Sequence, residues 1–299
     1  MEKIFLGIDV GTGSVRAGAF NRHGKLKAKA EWPIKIWKPK PGFVEQSSDD
    51  IWRAAAKAVG QCLRNGNIPA ASVKGISFDA TCSLVALGDG FEPVSVSPTN
   101  KKNQNIIVWM DHRAIQQADR INATGHEVLT YVGGKISPEM ECPKLLWLKE
   151  NHKTSWKQAK KFIDLADYMV FRATGCDSRS LCTSVCKWTY LGQEGLSGGY
   201  RRDFFQEIGL SDLFDRNLVP ENVFPMGFNA GGLTKEAARE WGLEPGTPVG
   251  VGIIDAHAGG VGSLSIGSAD ADSFEQSLAL IGGTSSCHMA VSVAPRFIP

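Results

Sequence analysis

The amino-acid sequence predicts an α/β protein made of two related lobes on either side of a cleft. Short strands and glycine-rich turns alternate at the start of the chain, and helical patterns dominate its middle. A Gly-Thr turn between two apolar strands occurs near residue 11 and again near residue 283. The length of 299 residues suits about two domains.

The chain begins with a pattern that predicts a three-stranded antiparallel meander. Apolar runs at Lys3–Asp9, Ser14–Phe20 and Lys25–Ile34 are separated by tight turns that contain glycine. A helix is predicted next, because Ser47 and Asp50 form a capping pair and apolar residues follow at helical spacing.

The following segment is predicted to change from strands to helices. Strands are expected at Lys74–Asp79, Ser83–Leu87, Phe91–Val96 and Asn105–Met110, and the second and third of these form a hairpin around Gly88-Asp-Gly90. Helices are expected at Asp111–Thr124, Ser137–Asn151, with Pro138 at its first position, and Trp156–Ala173.

The last part of the sequence predicts the transition into the second lobe. Residues 176–232 are rich in loop signals, and a short helix follows with Thr234 as its N-cap. The run Glu244-Pro-Gly-Thr-Pro248 interrupts the pattern, so a first lobe is predicted over residues 1–244 and the start of a second over 245–299. The second lobe is expected to hold a strand at Val249–Ile254, a helix at Ala256–Gly262 and a hairpin at Leu278–Val293.

Composition excludes several classes of function. A net charge of +2 gives no electrostatic case for binding nucleic acid or an anionic membrane. There is no apolar stretch of about 20 residues, and the N-terminus does not resemble a secretory signal. Seven cysteines without a Cys-x-x-Cys pair favour reduced thiols, so a cytoplasmic location is expected.

The first glycine turn, Gly11-Thr12-Gly13, is suited to binding phosphate through its backbone N–H groups and the threonine hydroxyl. It does not match a dinucleotide-binding loop, because position 16 is Arg and a strand follows it. Asp9, just before the turn, is placed to hold Mg²⁺ together with water and phosphate oxygens. The alternative is an ordinary hairpin with a turn-forming aspartate.

Asp255 ends an apolar strand and precedes a run of small residues, Ala-His-Ala-Gly-Gly260. A carboxylate at the end of a buried strand, at the mouth of a cleft, is well placed to act as a general base for a hydroxyl group. The alternative is that Asp255 is only the N-cap of the following helix.

Four motifs together resemble the FGGY family of carbohydrate kinases, and within it the pentulose kinases of ribulokinase type. They occur in order along the chain: Ile8-Asp-Val-Gly-Thr-Gly-Ser-Val-Arg16, Val108-Trp-Met-Asp-His-Arg113, Ile254-Asp-Ala-His-Ala-Gly-Gly260 and Gly282-Gly-Thr-Ser-Ser-Cys-His288. The resemblance implies the actin-like, ribonuclease-H-like ATPase fold, with an N-terminal lobe that is complete and a second lobe that is truncated.

The resemblance also implies roles for residues that bind the nucleotide. Asp9 resembles the metal-associated aspartate, and Asp255 matches the catalytic base. The residues similar to the two phosphate loops are Gly11, Thr12 and Gly13, with Arg16 beside them, and Gly283 and Thr284.

A second set of residues resembles the sugar-binding positions of the family. Ala80 and Thr81 stand where glycerol kinases have an Arg-Glu pair, so the small alanine favours a longer sugar chain than glycerol. Trp109 matches a pocket aromatic, and Asp111 lies in the run that follows it. Lys187 is similar to a ribulokinase lysine that contacts the sugar, and its alternative role is a solvated loop lysine.

The activity implied is transfer of the γ-phosphoryl group of ATP to the terminal hydroxyl of an open-chain ketopentose, with D-ribulose as first candidate and Mg²⁺ as cofactor. A homodimer is expected from the resemblance. Two alternatives stay open: a sugar-binding or regulatory protein without catalysis, and a sugar-independent ATPase.

Overall fold

A computed structural model of the protein describes residues 1–192, 198–265, 271–282, 286–294 and 296. The strands of these residues are β1 (Ile4–Val10), β2 (Ser14–Asn21), β3 (Leu26–Pro33), β4 (Glu45–Gln46), β5 (Val73–Ala80), β6 (Leu84–Leu87), β7 (Ile106–Ile107), β8 (Lys161–Asp164), β9 (Arg179–Ser180), β10 (Val223–Phe224), β11 (Asn229–Gly232), β12 (Pro248–Gly250), β13 (Ile253–Ile254), β14 (Leu278–Gly282) and β15 (Ser286–Ala290).

The helices are α1 (Ser48–Asn65), α2 (Ile115–Ala123), α3 (Glu141–Asn151), α4 (Lys153–Gln158), α5 (Leu165–Thr174), α6 (Leu181–Trp188), α7 (Arg202–Glu207), α8 (Asp212–Asp215), α9 (Lys235–Trp241), α10 (Asp255–Leu264) and α11 (Ala271–Glu275). Among the described residues, no helix is both long and apolar enough to cross a membrane. All seven cysteines lie in the described ranges, and each is a free thiol.

The main sheet confirms the predicted meander and extends it. Strands β1, β2 and β3 are antiparallel, and β5 joins the free edge of β1 in parallel. In the part of the chain that is described, the sheet has seven strands in the order β11-β12-β5-β1-β2-β3, with β13 also paired to β5. Every second residue of β1 is buried, as expected for a strand with one face on the core.

One face of this sheet is covered by α1, α5 and α9. The predicted caps of two of them are confirmed: the Ser47 hydroxyl accepts the N–H of Asp50, and the Thr234 hydroxyl accepts the N–H of Ala237. A buried aromatic contact joins α1 to α9, with the rings of Trp52 and Trp241 4.6 Å apart. These apolar contacts hold the helices against the face of the sheet. The ends of the strands are not covered by this packing.

A second, smaller sheet has the order β4-β7-β6-β8, and it corrects the predicted hairpin at residues 83–96. Its strand β6 pairs with β8 along its whole length and with β7 only through Leu84 and Val85, so Phe91–Val96 meets just the end of β6, where the Val94 N–H donates to the Ala86 carbonyl at 3.1 Å. That segment forms a short turn and only a single bridge, between Leu87 and Pro93. Pro93 has no N–H to extend a ladder.

The predicted helix at Trp156–Ala173 is wrong, because its middle is the buried strand β8. Its apolar residues Phe162 and Ile163 are almost fully buried. The Asp164 carboxylate then accepts the N–H of Ala166 and begins α5. A short apolar run inside a helical pattern does not distinguish a central strand from a buried helix.

Three further predictions of secondary structure need correction. The segment 176–232 contains α6, α7 and α8 in its described part, and it is not only loop. Helix α3 begins at Glu141, so Pro138 is not its first residue, and α2 begins at Ile115 rather than Asp111.

Residues 248–254 pair with the main sheet, although the predicted division at residue 244 assigns them to the second lobe. Strand β12 is antiparallel to β11, and both β12 and β13 are parallel to β5, so these residues belong to the main sheet. The predicted strand Val249–Ile254 is broken at Gly252, where a Cβ atom would lie 3.2 Å from the carbonyl oxygen of Ala166. We propose that the second domain begins after this sheet.

Strands β14 and β15 form the predicted second hairpin and rest on α10. The contact depends on Gly259 and Gly260, since a Cβ atom at Gly260 would lie 2.5 Å from the Met289 sulfur. The turn of this hairpin includes Gly283 and Thr284, which lie outside the described residues.

A buried ion cluster ties β4 of the smaller sheet to the loop after β7. The guanidinium of Arg113 donates to Asp111 and to Glu45 of β4, each at 2.8 Å, and all three side chains are fully buried. Arg113 also lies over the rings of Phe43 and Trp147, at 4.2 and 5.0 Å from their centroids. Burial raises the pKa of Glu45, and Arg113 opposes this rise.

We expect Arg113→Met to destabilise the fold by about 3–5 kcal/mol, since it leaves two buried carboxylates without their cation. The free energy of unfolding in urea measures this. The control is Arg120→Met, which removes an exposed pair with Glu150 and should cost at most about 1 kcal/mol. Equal losses in the two variants would contradict the interpretation of Arg113.

Candidate functional site

Three carboxylates meet where β1, β5 and β13 end. Asp9 of β1 is directly beside Asp79 of β5, and Asp79 is beside Ile253 of β13. Asp255 follows β13 at once. Because neighbouring strands lie about 4.8 Å apart and all three are parallel, their carboxyl ends bring these side chains to one edge of the sheet.

Asp9 is half-buried and has one paired oxygen. Its Oδ2 lies 2.9 Å from the Arg16 guanidinium, while its Oδ1 is buried and, among the described residues, is approached only by the Asp79 carboxyl group. Burial raises the pKa of Asp9, and the charge of Arg16 and a hydrogen bond with Asp79 lower it. The position of Asp9 at the first turn is as predicted.

Asp79 is the functional candidate that sequence reasoning missed. Burial, followed by the charges of Asp9 and Asp255, raises the pKa of Asp79 to about 8. Its carboxyl group is therefore protonated near neutral pH and hydrogen-bonded to Asp9. The available signal is its place at the end of the predicted strand Lys74–Asp79.

Asp255 is the first residue of α10, so it is not the N-cap that the alternative interpretation expects. The N-cap is Ile254, which has no side chain for this purpose, and the Asp255 carboxylate accepts the N–H of Ala256 at 2.7 Å. Burial raises the pKa of Asp255, as does the charge of Asp9, while the charges of Arg16 and Lys187 lower it. The carboxylate is half-buried and faces both cations.

The first glycine turn is held by hydrogen bonds on both sides. The N–H of Gly11 donates to the carbonyl of Ser14 at 3.0 Å, and the Gln46 amide donates to the carbonyl of Thr12 at 2.7 Å. The Trp109 indole donates to the Thr12 hydroxyl at 3.1 Å. The phosphate-loop candidate and the aromatic of the predicted sugar pocket are thus directly connected.

The predicted sugar-binding residues Ala80 and Thr81 continue β5 past Asp79. Ala80 is fully buried, and the N–H of Thr81 donates to the Val10 carbonyl at 3.0 Å. The Thr81 hydroxyl contacts the Ser83 hydroxyl, which also accepts the N–H of Trp109. These residues build the wall of the site, and Trp109 is half-buried beside them.

Lys187 and Asp111, the other two predicted sugar residues, differ in environment. Lys187 is half-buried on α6, so it is not a solvated loop lysine, and its charge acts on Asp255. Asp111 is fully buried, and its oxygens accept the N–H of Val44 and the Arg113 side chain. Contact of either residue with a sugar stays a prediction.

The acidic edge fits Mg²⁺ bound mainly through water and phosphate oxygens. Asp9 provides a buried carboxylate oxygen that only the Asp79 carboxyl group approaches in the described part of the chain, and a bound cation would take the place of that proton. Within the described ranges no group of three or more His, Cys, Asp and Glu side chains is arranged to hold a metal by itself. Mg²⁺ commonly takes one or two carboxylates and keeps several waters, so one carboxylate such as Asp9 suffices.

Comparison with known proteins agrees with this arrangement of motifs. Residues 4–262 match the model of the N-terminal domain of the FGGY family of carbohydrate kinases. The chain belongs to this family. An FGGY carbohydrate kinase domain-containing protein of Homo sapiens is 44% identical over 308 residues, which cover all of this chain and 55% of that protein. A D-ribulokinase of Saccharomyces cerevisiae is 39% identical over an alignment that covers 99% of this chain and 45% of that protein.

The FGGY chain thus spans about half the length of the curated relatives that it matches. Solved structures confirm its fold. A xylulose kinase from Rhodospirillum rubrum superposes with a TM-score of 0.82 at 19% identity, covering 99% of this chain and 57% of that one. A gluconate kinase from Lactobacillus acidophilus gives a TM-score of 0.77 at 20% identity, covering 96% of this chain and 54% of that one. The predicted actin-like fold of FGGY sugar kinases is therefore confirmed.

We expect Asp79→Asn to flatten the dependence of stability on pH. The folded wild type keeps a proton on Asp79 that the unfolded chain releases at the ordinary pKa of 3.8. This contribution is complete below about pH 4 and is lost as the pH rises through about 8. Asparagine does not titrate and still donates to Asp9.

The measurement is the free energy of unfolding at about pH 5 and pH 9 in buffer with a chelator. The wild type should lose more stability than Asp79→Asn over this range, and the variant should be the more stable protein at pH 9. Asp119→Asn, at an exposed position, serves as control. Parallel curves for wild type and Asp79→Asn would contradict the raised pKa.

Proposed function

We propose that the protein is an ATP-dependent kinase that phosphorylates the terminal hydroxyl of a ketopentose, with D-ribulose as first candidate. The observation that carries this proposal is the place of Asp255. Its half-buried carboxylate lies at the same strand edge as Asp9 and Asp79, and it is within the electrostatic reach of Lys187. Sugar-binding and phosphate-binding candidates thus surround one possible base.

Asp255 accepts the proton of the attacking hydroxyl in this mechanism. A raised pKa makes its carboxylate a stronger base than an exposed aspartate, and the charges of Arg16 and Lys187 limit the rise that burial causes. The hydrogen bond from the Ala256 N–H fixes one oxygen and leaves the other for the hydroxyl. The base is therefore oriented before the sugar arrives.

The phosphate groups of ATP bind at the first glycine turn and near Arg16. Gly13 is exposed at the tip of the turn, and Thr12 is fixed by Gln46 and Trp109, so the turn is rigid where the phosphates approach. Asp9 would hold Mg²⁺, which neutralises part of the phosphate charge when it is bound. Phosphoryl transfer depends mainly on such positioning and electrostatic stabilisation.

A ketopentose is favoured over glycerol by the wall of the site and by the relatives. Ala80 and Thr81 stand at the sugar-loop positions, where a pair of large charged residues does not occupy the space. The similar yeast protein is a D-ribulokinase, and ribulokinases of Geobacillus thermodenitrificans and other bacteria are more distantly similar. A cytoplasmic location and a homodimer remain predictions.

We expect Asp255→Asn to lower the rate of phosphoryl transfer by about 10²–10⁴-fold, the range for loss of a general base. Sugar affinity should stay within a few-fold of wild type, because asparagine has the same shape. Coupled release of ADP measures the rate in the full-length gene product, and calorimetry measures sugar binding. Wild-type turnover by Asp255→Asn would overturn the assignment of the base.

Sugar binding without catalysis and a sugar-independent ATPase are the alternatives that the sequence leaves open. ADP release with D-ribulose, L-ribulose, D-xylulose and glycerol separates the candidates. Sugar-dependent release supports the kinase. Binding of a sugar without any release supports the binding protein, and release without sugar supports an ATPase.

A further inference from the structure

A continuous chain of hydrogen bonds joins the wall of the candidate sugar pocket to the first glycine turn. Its four members are Thr81, Ser83, Trp109 and Thr12. The Thr81 and Ser83 hydroxyls are 3.1 Å apart, and the Ser83 hydroxyl accepts the backbone N–H of Trp109 at 3.1 Å. The Trp109 indole N–H then donates to the Thr12 hydroxyl, also at 3.1 Å. Trp109 is therefore held by its backbone on the sugar side and by its ring on the phosphate side.

The sugar end of this chain is anchored in the core. Ser83 is fully buried, and Thr81 is nearly so. The carbonyl of Ser83 accepts the N–H of Leu165 at 2.9 Å, and the N–H of Thr81 donates to the carbonyl of Val10 at 3.0 Å. The backbone of Trp109 thus has a partner that is itself fixed by the first residue of α5.

The phosphate end of the chain presents hydrogen-bond donors that the protein itself does not use. Among the described residues, the N–H groups of Thr12 and Gly13 donate to no acceptor, and neither does the Thr12 hydroxyl. The carbonyl of Thr12 accepts the Gln46 amide at 2.7 Å, so this acceptor at the turn is already occupied. Successive backbone N–H groups with a hydroxyl beside them form a site for an anion.

The Trp109 indole determines how the Thr12 hydroxyl can act. An indole nitrogen only donates, so the Thr12 oxygen is the acceptor in this bond. The hydroxyl hydrogen of Thr12 then points away from Trp109 and is left for another acceptor. Because hydrogen bonds in a chain polarise one another, the bond from Trp109 also makes Thr12 a stronger donor to a phosphate oxygen.

We propose that Trp109 is a positioning residue for the nucleotide, which holds the Thr12 hydroxyl as a phosphate donor and thereby couples nucleotide binding to the sugar. Trp109 is half-buried, and a sugar that rests on its ring excludes the water that competes with Thr12 for the indole N–H. By linkage, the nucleotide strengthens sugar binding by the same factor. This inference rests on the proposed function, because it takes Trp109 as part of the sugar pocket and the glycine turn as the phosphate site.

The first experiment measures the affinity for ADP without sugar, by calorimetry on the full-length gene product with a chelator present. Trp109→Phe keeps an aromatic ring in the pocket but removes the indole N–H, so ADP should bind about five- to tenfold more weakly. Thr12→Val should weaken ADP binding at least as much, and the double variant should be no weaker than Thr12→Val. Thr12→Ser, which keeps the hydroxyl, should stay within about twofold of wild type.

The matched control is Trp156→Phe, which removes an indole hydrogen bond of the same kind between α4 and α8, where Trp156 donates to Asp212 at 2.9 Å. It should leave ADP affinity unchanged.

The second experiment repeats the ADP titration with a saturating sugar, taken as the one among D-ribulose, L-ribulose, D-xylulose and glycerol that the wild type binds most tightly. In the wild type the sugar should strengthen ADP binding about fivefold or more. In Trp109→Phe and in Thr12→Val this factor should fall to about twofold or less. Sugar affinity without nucleotide should stay within a few-fold of wild type in both variants.

Wild-type affinity for ADP in Trp109→Phe would overturn the role of Trp109, even in an active kinase. A wild type whose ADP affinity does not respond to a bound sugar would overturn the coupling. If Trp109→Phe does not fold, loss of the sugar effect in Thr12→Val supports the coupling and its retention overturns it, because this variant removes the acceptor of the same bond. If the wild type binds none of the four sugars, the proposed function fails and the coupling fails with it. Weaker ADP binding by Trp109→Phe would in that case still support the bond to Thr12, so the two failures are distinguishable.

Discussion

The parallel pairing of β1 with β5, and of β5 with β13, is the constraint on which the rest of the site depends. It places Asp9, Asp79 and the residue before Asp255 at one edge, where burial raises the pKa of each carboxyl group and the charge of Asp9 adds to the rise at Asp79 and Asp255. Such a concentration of acids is unfavourable unless cations or protons compensate it. Arg16, Lys187 and the proton on Asp79 provide this compensation.

The two cations that compensate the acidic edge come from different parts of the chain, and each is held by other contacts. Arg16 belongs to β2 and pairs directly with Asp9, so the meander itself supplies one positive charge. Lys187 belongs to α6, and the groups that act on its charge are Cys82, Cys186 and Glu141 of α3. The site therefore joins the main sheet to the helical region, and Trp109 strengthens the same connection through the Thr12 hydroxyl.

Local signals in the sequence predicted the parts of the fold that short-range chemistry determines. The meander, the Ser47 and Thr234 caps and the ends of the strands that carry Asp9 and Asp255 depend on nearby residues alone. Strand β8 was missed because a fully buried strand has no alternating pattern. Asp79 was missed because its importance comes from a neighbour that is distant in sequence, Asp9.

In the proposed function, the electrostatics of the edge also connects nucleotide binding to the strength of the base. Each added cation near Asp9 lowers the cost of ionising the neighbouring carboxyl groups, just as Arg16 already does for Asp9 and Asp255. The phosphates that accompany such a cation bring negative charge to the glycine turn, on the other side of Asp9 from Asp79. The same strand pairing that gathers the acids thus makes the proton affinity of Asp255 respond to what is bound two strands away.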